Sequence, residues 1–160
     1  MFDEFLGLPL HVFIVHLTVV LLPVASLTAM AYAAARSWRW LLRWPLALLG
    51  VGSAVVTFVT VQAGKAFKQR LGPGVDEVIA THEARGELLL VVTGVFAAVT
   101  VALSLGGPSA LVSGRGARAG ATAQVQLGVR VVLVVSAVLV LVQVVLTGYA
   151  GSRAVWGDLP

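Results

Sequence analysis

A chain of 160 residues that is 59% hydrophobic and 11% charged, with a mean hydropathy of +0.98, departs from soluble domains, in which about 25% of residues are charged. Its net charge of +4 comes from residues in short loops between apolar runs, which argues against nucleic acid and for a lipid bilayer as the partner. The absence of cysteine excludes thiolate nucleophiles, disulfides, iron–sulfur clusters and cysteine-based zinc sites.

In chain order, the acidic start "MFDEF" lacks the positive region of a secretory signal peptide, and the apolar run after it is too long for one. Four segments approach the roughly 20 apolar residues that a spanning helix needs: 9–34, 45–64, 75–106 and 125–149. Pro9 and Pro45 suit the first helical turn, where a missing N–H costs nothing. Pro23 lies inside the first span and predicts a kink there. In the third segment the apolar part is Leu88–Gly106. The breaker-poor run "VDEVIATHEARGELLLVV" carries the helix back to near Val75, so that two or three turns project above the hydrocarbon. The connection "GPSALVSGRGARAGATAQ" is small-residue-rich and reads as flexible. These elements predict an all-α fold, a four-helix transmembrane bundle in a single integral membrane domain over 1–160. The echo between "QAGKAF" and "YAGSRAVW", with histidine opening spans 1 and 3, suggests two repeated helical hairpins.

Orientation follows from the charges. The first and third connections and the start of span 4 hold Arg36, Arg39, Arg43, Arg115, Arg118 and Arg130 with no acid, whereas every acidic residue lies on the other side. The positive-inside rule then puts both termini outside a cell inner membrane, with Trp38, Trp40 and Trp44 as an aromatic belt on the cytoplasmic face.

Three stretches resemble a known family of bacterial membrane proteins, domain of unknown function 2231. "LPLHVFIVH" is similar to its opening His-Pro-x-x-Val-His pattern, with Val12 in place of the usual proline. "QAGKAFKQRLGPGVDEVIATHEARGE" is similar to its glycine turn and histidine-led third span, and "TGYAGSRAVW" to its closing Thr-Gly-His/Tyr-x-Gly signature. The resemblance implies a four-span fold and no established activity.

All three histidines collect at the outer end of the bundle, where polar side chains are costly without a partner or a task. His16 and His82, on two helices entering from one face, form a candidate site for haem b or a transition-metal ion in a redox-associated role. Tyr149, Thr81 and Glu83 stand near enough in the topology to fix the ring nitrogens. For a metal the donor set is His16, His82 and Glu83; for haem the contacts are His16, His82 and Tyr149. His11 is five residues from His16 and about 140° away on an ideal helix, so one face cannot present both. His82, Gly86, Thr93 and Ala97 share a stripe of span 3. Asp76, Glu83 and Glu87 make a second stripe, which either binds a cation or is a solvated face. The alternative for the histidines is an interfacial position in a structural or accessory subunit, packed against a larger membrane complex or a second copy of itself. Gln143 reads as an interhelical hydrogen-bonding residue. No phosphate loop, catalytic triad or other catalytic constellation is visible.

Overall fold

The computed structural model describes residues 4–72, 74–110 and 119–157. Four helices account for nearly all of them: α1 (Leu10–Ala34), α2 (Arg39–Leu71), α3 (Asp76–Ala110) and α4 (Ala119–Trp156). Each is long and apolar enough to cross a membrane. The only strands among the described residues are β1 (Glu4–Phe5) and β2 (Leu8–Pro9), an antiparallel pair. Leu6 and Gly7, both at positive φ, form the two-residue turn that such a hairpin favours.

Both boundaries of the second helix depart from the sequence-based expectation. Pro45 lies inside α2 rather than in its first turn, because "RWLLRW" contains no breaker and turns helical directly after a 3-10 turn at Arg36–Trp38. The Leu41 carbonyl therefore has no helical N–H to accept from position 45. At its other end α2 runs on to Leu71, so it projects beside α3 instead of stopping at Gly64. Helix α1 runs from Leu10 to Ala34 with Pro23 inside it, as the first span was expected to do. Of the connection expected to be flexible, 107–124, residues 111–118 lie outside the described residues, whereas 107–110 end α3 and 119–124 begin α4.

The helices pack in ring order, α1 against α2 and α4, α3 against α2 and α4. The buried positions repeat between the two hairpins. Counted from His11 and His82, buried Leu22, Ala25 and Ala29 of α1 match buried Thr93, Phe96 and Thr100 of α3. In the same way Leu46, Gly50, Ser53 and Thr57 of α2 match Leu133, Ala137, Val140 and Val144 of α4. The two stripes differ in chemistry: α2 buries glycine and hydroxyls where α4 buries aliphatic groups.

Large apolar side chains such as Val20, Leu27, Leu48, Val91 and Val145 point outward and are exposed, a surface that lipid and not water would cover. At the end of the bundle carrying the arginines, Arg39 donates to the Tyr32 and Ala33 carbonyls at 3.1 and 3.2 Å, closing the C-terminus of α1. Arg43 donates to the Ser104 carbonyl, while Ser104 Oγ donates back to the Arg43 carbonyl at 2.9 Å.

Close approach of α2 and α3 depends on Gly50, because a β-carbon there would run into the Thr100 hydroxyl. Gly50→Ala should lower bundle stability by about 1–3 kcal/mol, and Thr100→Ala should recover part of that loss. Unfolding of the two single variants and the double variant in one detergent measures the coupling.

Candidate functional site

The histidines that meet are His11 and His82. Their ring centroids lie 6.2 Å apart with the planes at 81°. His11 Nδ1 donates to the Thr60 carbonyl at 3.1 Å, and His82 Nδ1 donates to the Thr147 carbonyl at 3.0 Å. A carbonyl only accepts, so each ring carries a proton on Nδ1, and in the neutral form of either ring the lone pair is on Nε2. Both imidazoles rest on bare helix backbone. A β-carbon on Gly64 would lie 3.1 Å from His11 Cε1, and one on Gly151 would lie 3.0 Å from His82 Cε1.

The motif that builds each half is the same. Thr60-Val-Gln-Ala-Gly64 and Thr147-Gly-Tyr-Ala-Gly151 place an acceptor carbonyl and a side-chain-free surface one turn apart on a helix. The histidine of the preceding helix lies across both. The second turn of Thr60 is occupied as well, its hydroxyl 2.7 Å from that of Thr18.

His16 is not part of this pair. It is exposed on the lipid-facing side of α1, and its Nδ1 donates to its own helix at the Val12 carbonyl, 2.6 Å away. The reason is phase: His11 shares the buried face of Thr18, Leu22, Ala25 and Ala29, whereas His16 lies off it. Tyr149 is also exposed, at 61%, and it is Gly148 and Gly151 on either side that line the cavity. Glu83 does line it, but its carboxylate is held by Lys68 at 2.7 Å. The donor set His16, His82 and Glu83 is therefore not assembled, and among the described residues no three His, Asp or Glu side chains converge as a metal site.

The acidic stripe is neither a cation site nor a free solvated face, because the projecting end of α2 answers it with lysines. Lys68 bridges Asp76 at 2.9 Å and Glu83 at 2.7 Å, and Lys65 reaches Glu87 at 2.7 Å. Arg70 holds Glu4 of β1 at 2.8 Å. Gln143 does not make the expected contact through its side-chain carbonyl, which is buried with no partner among the described residues.

Beneath these ion pairs lies a cavity of about 540 Å³, within the range of small-molecule sites. Its walls are mostly apolar, with Val12, Val15, Val78, Ile79 and Leu89 among them, and the two histidines and the hydroxyls of Thr18, Thr57 and Thr60 supply polar groups. The arrangement can therefore present two imidazole lone pairs inside an apolar chamber.

Four apolar helices around such a chamber define an integral membrane protein of the four-helix-bundle class. The chain belongs to the family described as predicted membrane protein, domain of unknown function 2231, whose sequence profile matches residues 7–159. Neither a curated protein nor a solved structure gives a significant match.

Two substitutions test the geometry of the pair. His16→Ala should leave stability within about 0.5 kcal/mol of the parent, as an exposed position does. Gly151→Val should drive His82 off the Thr147 carbonyl, and the ¹⁵N shifts of that imidazole should then lose the pattern of a ring protonated on Nδ1. Retention of that pattern would mean that the ring does not rest on the glycine.

Proposed function

We propose that this protein sits in the cell inner membrane with both termini outside, and that its histidine pair binds b-type haem for a redox-associated role. The observation that carries the reading is the pair itself: two imidazoles from different helices, each fixed through Nδ1 to a helix carbonyl, with ring centroids 6.2 Å apart and planes at 81°. Metal-ligating histidines are held in this manner by a second hydrogen bond.

The number of donors favours haem over a bare ion. A structural transition-metal ion takes about four ligands, and only two histidines are available here. Haem brings its own four nitrogens and asks the protein for two axial ligands and apolar walls. When bound, it would supply one-electron chemistry at iron. The residues of this chain would hold and orient it: His11 and His82 through Nε2, with the Thr60 and Thr147 carbonyls fixing the tautomer. Aliphatic side chains would exclude water from the ring. Lys65 and Lys68 at the rim are the cations nearest to an acidic substituent, although each is already paired with carboxylates.

The experiment is an absorption spectrum of the purified protein titrated with haem. His11→Ala and His82→Ala should each abolish the axial-ligand band and the stoichiometric binding, whereas His16→Ala and Tyr149→Phe should preserve both. A parent protein with no band, or one whose band survives either of the first two changes, leaves the accessory-subunit reading in its place.

The orientation has a separate test. In a chain without native cysteine, an impermeant thiol reagent applied from outside should label cysteine introduced at Gln69 or Ser152 and should spare one at Arg39. Labelling in the reverse pattern inverts the topology.

A further inference from the structure

A serine or threonine inside a membrane helix ordinarily gives its proton to the carbonyl one turn back, since no water is at hand. Thr93, Thr100 and Thr147 do so, and Thr18, Thr60 and Ser104 each lie within hydrogen-bond distance of that carbonyl and of a second polar atom. Ser26, Ser53 and Thr57 do not. Their hydroxyls are fully buried, at 0–1% exposure, and have no hydrogen-bond partner among the described residues. Buried polar groups left in that state are rare and call for a ligand, most often water.

The three are neighbours by register. Helices α1 and α2 are antiparallel and pinned by the Thr18–Thr60 hydroxyl contact. Ser26, two turns along from Thr18, therefore lies level with Ser53, two turns back from Thr60. Thr57 is one turn from Ser53. On the other flank Gly50 abuts Thr100, which brings Thr93 level with Thr57. On α2 the rungs are Thr60, Thr57 and Ser53, and below Ser53 the row passes to Thr100 and Ser104 of α3, level with Gly50 and Leu46 of α2, so that successive rungs lie about 4.5–6 Å apart along the bundle. One water bonded to both neighbours at about 2.8 Å spans that gap. The upper rungs, Thr57 and Thr60, line the histidine cavity, and the lowest, Ser104, donates to the Arg43 carbonyl. From Thr60 to Arg43 the rise is about 25 Å, most of the roughly 30 Å of hydrocarbon.

We propose that this ladder of hydroxyls holds a file of water molecules that conducts protons between the histidine cavity and the Arg43 end of the bundle. At each step one O–H bond forms as the next breaks, so one proton enters for each that leaves and no side chain has to ionise. The file follows α2 because the matching positions on α4 are Val140, Val144 and Ala137, which can hold no water. Arg43 places a fixed positive charge at one mouth, and such a charge slows cation entry. The path stands on the hydroxyls and not on what the histidines bind: an absorbance band reads one, a proton flux the other.

The test is proton flux into liposomes carrying the full chain and an internal pH dye, driven by a potassium diffusion potential. Parent liposomes should exceed protein-free ones. Thr57→Val, which keeps the shape, and Ser53→Ala should cut the excess by about ten-fold or more by breaking the file. Thr57→Ser should restore it, and Ser136→Ala on α4 should leave it unchanged. Arg43→Gln should raise the flux, and the rise should vanish when Thr57→Val is added, which separates conduction along the file from leakage by a loosened bundle. Parent flux equal to that of protein-free liposomes, or Thr57→Val conducting as the parent does, overturns the proposal.

Discussion

Inside a bilayer a polar group must find its partner within the protein, and the placing of every polar side chain in this bundle answers to that constraint. The backbone is satisfied by forming helices. Imidazoles borrow helix carbonyls that already serve the ladder, most hydroxyls turn back on their own helix, and the lysines and carboxylates stay on the projecting ends of α2 and α3. Where the rule is kept, the interior is inert. Among the described residues it is not kept at three orphan hydroxyls, the Gln143 carbonyl oxygen and Arg130 Nε.

Packing obeys a second consequence of the same solvent. Lipid tails are as apolar as leucine, so helices gain little from hiding aliphatic surface and associate through close contact instead. Small residues set the distances: Gly50 against Thr100, Gly64 under His11, Gly151 under His82. The stability of the fold and the position of the histidines are then two readings of one set of glycines. A larger side chain at Gly64 or Gly151 acts on the site first, and one at Gly50 acts on the bundle.

The class of fold was legible from hydrophobic run lengths, and the family from three short motifs. The identity of the facing histidine was also encoded, but in a signal that depth alone does not carry. Heptad steps back from Ala25 and Ala29 pass through Thr18 or Leu22, and the step below Thr18 lands on His11 and misses His16. Likewise "TVQAG" and "TGYAG" hold the repeat that seats the rings, visible once threonine is included with the small residues. The pairing of Lys65 and Lys68 with the carboxylates of α3 was less accessible, because it needs α2 to continue past the hydrocarbon. Nothing in an apolar-length count requires that. Tyr149 illustrates the converse: a conspicuous residue in the closing motif, it points out while its plain neighbours Gly148 and Gly151 line the chamber.

The lysine–carboxylate contacts all join α2 to α3, and their repeat-related positions on α4 are occupied by Ser152 and Val155. Among the described residues no ion pair joins α1 to α4. One flank of the chamber is thus latched by charge, and the opposite flank is closed by valine and alanine alone, with Val12, Val15, Ala154 and Val155 along it. A hydrophobic molecule dissolved in the membrane meets no electrostatic barrier on that flank. The bundle thus has one flank held by charge and one held by apolar contact.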